Sequence, residues 1–490
     1  MLAARVPGRA RVPARRRGVL QRLAGPRRSV ARQAVSGLIF FPRGGSAHVA
    51  RALARELPRH GWDVRVVSGS RPDLGAHTDA RAFYSGCDVR AVDFGPAVGS
   101  DDPMRYEGEA GTAPMHPSYE DRPDAADRVF ARLDDRDFER QVRAWGRALE
   151  RAEAGDADVL HLHHLTPINE AAARVAPDVP VVGQLHGTEL LFLEQVARGA
   201  PEGWTYAERW VERMRGWARA CERLLVAPGG ADRAAELLGV DPERFAPAPN
   251  GFDPETFRPR EVDRAAIWRR ALVEEPRGWL PGEEAGSVRY SDAELGPLID
   301  GVVILYVGRF TEVKRLGLLI RAFERARPDF EVPAALALVG GHPGEWEGEH
   351  PAQVIESVGA RGVFLAGWHD HEELPEFLNA SDAVALASVR EQFGQVLVEG
   401  MACELPAIAA ESFGPRLIVE DGRTGWLVER DGEQAMAGAM LEAVNDEGDR
   451  RRRGRAARED ALERFSWPGI AESVAEVFES ALSSARQRAR

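Results

Sequence analysis

At 490 residues the chain exceeds what one ordinary hydrophobic core serves, and two domains of roughly 200 residues each are expected. With 44% hydrophobic residues and no uninterrupted apolar run near the ~18 residues of a membrane span, it reads as a water-soluble globular protein. The net charge of −13 argues against a general nucleic-acid binder, so no nucleic-acid partner is expected.

The charge is unevenly spread. Residues 1–34 hold ten Arg and no Asp or Glu, leaving about −23 on the remainder once that +10 is set aside. This head lacks the apolar core of a signal peptide, because Arg22 interrupts the one candidate run at 18–24. It reads as a disordered tail, or as a start site set too far upstream, with membrane contact at most peripheral. Cys87, Cys221 and Cys403 are widely separated and show no metal spacing. They suggest a reducing compartment, hence a cytoplasmic protein, at most peripheral to the inner membrane face. The chain uses Arg 63 times and Lys once, at Lys314. Lys is a compact charge on a thin stem and Arg a wide planar fork, so a narrow pocket around a phosphate would call for the former.

The ordered part opens with a strand over 36–41, a Gly44-Gly45 turn, a helix over 47–60 stopped by Gly61, and a strand over 63–68. Strand, glycine turn, helix and strand in that order indicate a parallel α/β sheet. The turn is not G-x-G-x-x-G, which argues against a dinucleotide site. Gly44 and Gly45 either bring backbone N–H groups near a phosphate or simply permit the turn. Residues 95–127 are polar and rich in Pro and Gly, and read as a long surface loop whose stretch 115–120 is within reach of an acceptor.

A helix is expected over 136–154, then strands over 158–163 and 180–185. The first of these ends in His161-Leu-His-His164. Alternation puts His161 and His163 on one face and His164 on the other, with no acidic neighbour, so a metal site is not expected. The second ends in His186-Gly-Thr-Glu189, where Gly187 permits close approach and Thr188 can cap the next helix. A strand over 223–227 leads to turns at Asn250-Gly251 and Asp253-Pro254, and the domain boundary is placed near 249–262. Residues 262–300 are charged and carry little structural signal.

The second half alternates strands, at 302–307, 335–339, 362–365, 383–387 and 407–409, with helices. A second doubly wound parallel sheet follows. Asp370 with Glu373 reads as a capping box opening a helix over 371–379. The most informative stretch is 390–406. It follows a buried strand and continues as a helix whose Val396, Leu397, Gly400 and Met401 share a face. Glu391 falls in the turn and Glu399 in the helix, with Gly394 at the bend. A helix N-terminus suits an anion such as a diphosphate, and a carboxylate on each side could hold flanking hydroxyls, which is the layout of a nucleotide-sugar.

The pattern E-x-F-G-x4-E-x-M-A-x3-P resembles the E-x7-E signature of retaining glycosyltransferases of family GT4. Other stretches match in order: Gly44-Gly45, His186-Gly-Thr-Glu189, Asn250-Gly-Phe-Asp253, Gly308-Arg309 with Lys314, Gly340-Gly341, and Gly414-Pro415 with Asp421-Gly-x-x-Gly425. The resemblance implies a GT-B fold, two Rossmann-like domains facing across a cleft. These would be residues 35–257 and 258–467, with the last helix, 468–490, crossing back to the first domain. It implies a hexosyl donor that is a nucleoside diphosphate sugar, a UDP-sugar by default, and a hydroxyl acceptor. Arg309 and Lys314 would hold the diphosphate, and Glu399 the ribose. Glu391 with Gln392, Phe393 and Gly394 would hold the transferred sugar, and His186 would lie beside the reacting carbon. Gly45 and Gly341 would let the donor approach the backbone. No essential metal or other cofactor is expected. A nucleotide-sugar epimerase or a phosphorylase on the same scaffold is the alternative.

Overall fold

The computed structural model describes residues 31–121, 126–391 and 393–488. The Arg-rich segment 1–30 and Gln392 lie outside the described residues. Thirteen named strands form two sheets. The first contains β1 (Arg32–Leu38), β2 (Trp62–Ser70), β3 (Asp88–Asp93), β4 (Val159–His163), β5 (Val181–Gln184), β6 (Arg223–Val226) and β7 (Phe245–Pro247), in the order β3-β2-β1-β4-β5-β6-β7. The second contains β8 (Val302–Val307), β9 (Ala334–Val339), β10 (Val363–Gly367), β11 (Ala383–Leu386), β12 (Ala407–Ala410) and β13 (Gly425–Val428), in the order β10-β9-β8-β11-β12-β13. Every pairing between these strands is parallel. Parallel strands are covered on both faces, which is why β8 (VVILYV) and β9 (AALALV) are nearly continuous apolar runs.

In both sheets the order steps outward from the first strand and then jumps to its other side, placing a switch point at β1/β4 and at β8/β11. Ligands of open α/β sheets bind at the carboxyl ends of strands flanking such a point. The second switch point is closely packed. Helix α1 (Gln395–Ala402) lies on β11, and a Cβ added at Gly400 would stand 2.7 Å from Val384 Cγ1. Gly400 is therefore a packing glycine that lets the helix carrying Glu399 sit against the sheet.

The last helix, α2 (Trp467–Arg488), belongs to the other core. Its Ile470, Val474 and Phe478 are buried with Ala34, Leu53, Trp62 and Val182 of the first lobe. Phe478 meets Trp62 edge-on at 5.2 Å between centroids. The two passages of the chain between the lobes run side by side: Phe252 N donates to Phe465 O at 2.9 Å, and Trp467 N to Phe252 O at 3.0 Å.

Three stretches differ from expectation. The first strand starts at Arg32, so residues 32–34 pair with β2 and are not part of the head. Among the described residues of 95–127 the chain is no surface excursion, since Met104, Ala113, Met115 and Tyr119 are buried in the first core. Residues 262–300 are likewise folded in, with Trp268, Leu272, Trp279, Leu295 and Leu298 buried in the second core. Isolated apolar anchors in irregular chain have no period for a sequence reading to detect. Strands β3, β7 and β13 lie outside the sequence expectation, because they are short or partly exposed and carry little apolar signal.

Candidate active site

At the carboxyl end of β8, Lys314 closes a short turn, Glu312–Lys314, and Arg315 follows in the left-handed region at φ +53°. That turn aims the only lysine at the next strand end. Lys314 Nζ lies 2.5 Å from Glu391 Oε2, 77 residues away in sequence. The pair is largely shielded, with side-chain exposures of 20% and 16%. Glu391 is held by its own carbonyl, which accepts from Gly414 N at 2.9 Å. Gly394, at φ +101°, then turns the chain into α1, a conformation that a side chain would strain. Arg309 is exposed and has no carboxylate partner among the described residues.

Glu399 faces inward from α1 at 2% exposure. Its Oε1 accepts from Gln395 Nε2 at 3.1 Å and lies 2.8 Å from His371 Nε2. Gln395 Nε2 also donates to Gly251 O, at 2.9 Å, in the chain passage between the lobes. The carboxylate raises the His371 pKa above its ordinary value, against the opposing effect of burial. On the facing lobe, the His48 ring is centred 6.2 Å from His371. Burial and the Arg51 charge push His48 down to about 4. His371 was expected inside a helix. The helix begins instead at Leu374, and Asp370 N donates to Glu373 Oε2 at 2.9 Å, which frees His371 to turn to Glu399.

Gly341, at φ +70°, is packed on its Cβ side by the protein itself. A Cβ there would meet the Phe310 ring at 2.4 Å, and Trp279 Nε1 donates to Gly341 O at 3.1 Å. Its missing side chain accommodates the protein's own aromatic packing.

A cavity of about 510 Å³ lies at the carboxyl ends of β1, β4 and β5. Gly45, His186 and Phe393 line it, together with Phe40, Tyr119 and Phe413. Lys314, Arg309, Glu391 and Glu399 do not line it, but Phe393 ties it to the Glu391 turn. Gly45 opens the helix Gly45–Glu56, with nothing within 4 Å of a Cβ placed on it. The 115–120 stretch contributes His116, Ser118, Tyr119 and Glu120 to the wall.

His186 is fixed from two sides. Its backbone N–H donates to Glu189 Oε1 at 3.0 Å, and its ring Nε2 lies 3.0 Å from His163 Nδ1. His163 Nε2 in turn lies 3.2 Å from Ser36 Oγ. Burial holds both His163 and His186 well below the ordinary histidine pKa, so each is neutral near pH 7. Burial opposes ionisation of Glu189, but His164, with its Nδ1 at 3.4 Å, and the backbone N–H groups outweigh it and hold the carboxyl below its usual range. The helix Thr188–Arg198 is capped by Gly187, at φ +91°, and Thr188 occupies its first turn instead of capping it. No group of three or more His, Cys, Asp or Glu among the described residues is placed to hold a metal ion. Among the described residues, too, no helix is long and apolar enough to cross a membrane.

Residues 293–460 match the family model described as glycosyl transferases group 1, and residues 43–256 match that of glycosyltransferase family 4. The chain is 30% identical over 361 residues to a D-inositol 3-phosphate glycosyltransferase of Acidothermus cellulolyticus, covering 71% of this chain and 73% of that one. It is also 30% identical over 350 residues to an alpha-maltose-1-phosphate synthase of Mycolicibacterium smegmatis, covering 67% and 80%. Among solved structures, Anabaena Alr3699/HepE in complex with UDP superposes with a TM-score of 0.61 at 18% identity, over 92% of this chain and all of that one. A glycosyltransferase of Rickettsia africae superposes with a TM-score of 0.62 at 14% identity, over 92% and 98%. These relatives do not favour the epimerase or phosphorylase alternative. With family models over both lobes and relatives matched across most of their length, the chain belongs to glycosyltransferase family 4 and is a GT-B enzyme of the hexosyltransferase class.

Proposed function

We propose that this enzyme moves a hexosyl unit from a nucleoside diphosphate sugar, a UDP-sugar by default, to a hydroxyl acceptor with retention of the anomeric configuration. The observation that carries the reading is the meeting of the only lysine with Glu391 at the switch point of the second sheet. The donor diphosphate lies against Lys314 and the exposed Arg309. Glu399 takes the ribose, and Glu391 with residues 392–394 takes the sugar. The first-lobe cavity receives the acceptor, with His186 between the two.

In this reading the bond from the anomeric carbon to the phosphate oxygen breaks as the acceptor oxygen bonds to the same face. The departing phosphate oxygen takes the acceptor's proton. Lys314 and Arg309 supply two cations that offset the charge developing on the diphosphate, usually the largest catalytic contribution. Glu391 is engaged by Lys314, which suits binding better than nucleophilic attack of the kind a retaining glycosidase uses. Protein cations supply the positive charge, so no metal is required: chelator should leave turnover intact, and restoration by Mg²⁺ of an activity lost to chelator would contradict this.

The test is a thermal-shift screen of UDP, GDP and ADP sugars. A ligand at 100 times its Kd stabilises by about 2.7 kcal/mol. Lys314→Ala should abolish the shift and Glu399→Gln should weaken it. An unchanged response in both variants would sink the site.

A further inference from the structure

Four histidines crowd the first switch point, and two of them, His164 and His186, line the cavity. His161 and His163 are buried with ring centroids 4.4 Å apart, and His164 is centred 4.5 Å from His186. The charged group facing them is Glu189, which contacts His164 Nδ1 and the His186 backbone N–H. Within this cluster one chain of contacts is continuous. It runs from Ser36 Oγ through His163 Nε2 and Nδ1 to His186 Nε2. Ser36 is 3% exposed, and its hydroxyl has no other partner among the described residues.

The direction of the hydrogens follows from satisfying each buried donor. In one sense, the Ser36 hydroxyl donates to His163 Nε2. His163 then carries its proton on Nδ1 and donates to His186 Nε2. His186 must then carry its proton on Nδ1, and the Ser36 hydroxyl and His163 Nδ1–H each have an acceptor. In the opposite sense, His186 Nε2–H donates to His163 and His163 Nε2–H donates to Ser36. The serine hydroxyl hydrogen is then buried with nothing to receive it. A buried unpaired donor carries the full desolvation penalty, so the first sense prevails. Both rings are kept neutral by burial, so neither sense is bypassed by a second proton.

We propose that Ser36 and His163 are positioning residues that lock His186 in its Nδ1–H tautomer, so that it offers the cavity a hydrogen-bond donor and no basic nitrogen. This rests on the sugar-transfer reading, in which His186 faces the reacting sugar. It assigns the ring a definite task. Nδ1–H is aimed at an oxygen of the donor sugar or of the acceptor, and His186 cannot take the acceptor's proton. This agrees with the leaving phosphate oxygen as the proton's destination. The proton on His186 stays in place throughout, so the inference adds no covalent step.

The experiment uses the full chain labelled with ¹⁵N at histidine. Long-range proton–nitrogen spectra distinguish a protonated from a bare ring nitrogen, and His186→Gln and His163→Gln assign the signals. The expected pattern is a protonated Nδ1 and a bare Nε2 on both rings. A protonated Nε2 on His186 would overturn the proposal. Ser36→Ala removes one buried oxygen with little change of shape. It should turn the His186 signal into a mixture of tautomers and lower the turnover of a bound sugar donor by at least about tenfold with donor KM unchanged, since a wrong tautomer is costly in catalysis. Ser36→Ala with the wild-type spectrum, in protein that melts normally, would equally overturn it. The spectra need no substrate. Failure of the donor screen would therefore sink the sugar-transfer reading and leave the tautomer of His186 decided by its own signals.

Discussion

Lys314 and Glu391 show how two residues of unremarkable type become a site by placement. Either alone is a surface charge, but at 2.5 Å and largely shielded from water they form a close ion pair, which in the proposed reading an arriving diphosphate would share. Glu399 is the sharper case. It is 2% exposed, and a buried carboxylate needs partners, which here are His371 and Gln395. Because the folded pKa of His371 is raised, the stabilisation from this pair is complete below the unfolded histidine pKa and is lost as pH rises through the folded value. The melting-temperature difference between wild type and His371→Ala should therefore be larger at about pH 5.5 than at about pH 8.5. The His371 side chain is 48% exposed, so the effect should stay within about 1 kcal/mol. A difference that grows with pH would contradict the pairing. Of the residues singled out from sequence, His186, Glu391 and Glu399 were legible because the motifs around them run in a recognisable order. His163, Ser36 and His371 were not, since their importance lies in contacts across 23, 127 and 28 positions of chain.

Among the elements, α1 and β11 set the precision of the site. Gly400 lets the helix approach to where a single added methyl would stand 2.7 Å from Val384. Gly400→Ala should destabilise the fold by about 1–3 kcal/mol through overpacking, measurable by denaturant unfolding. The same substitution should weaken donor binding by displacing Glu399. Full stability in the variant would show that the helix can yield. The Gly394 bend belongs to the same element; the sequence marks the bend, and the structure gives it a φ of +101°. The helix start before His371 misled for a physical reason: the capping signal of Asp370 and Glu373 is present, but it orders a turn before a helix that begins at Leu374.

At the scale of the whole molecule, α2 completes a core whose first strands lie near the opposite end of the chain. Phe478 is fully buried against Trp62 and His161. Phe478→Ala should cost about 3–5 kcal/mol of stability, the usual range for truncating a buried aromatic, seen as a lower unfolding midpoint. If the midpoint holds, the C-terminal helix is an accessory to the first lobe and not part of its core. The chain order of strands, helices and glycine turns was enough to read two parallel α/β sheets and the family, because apolar runs and turn residues are local signals carried in the order of side chains. What tertiary structure alone decided was where irregular segments go and which polar groups meet. The 95–127 and 262–300 stretches fold inward on scattered anchors, and Lys314 faces Glu391. The Ser36–His163–His186 chain forms only when three strands align. Such contacts depend on distances through space between residues far apart in sequence, and no local pattern encodes them.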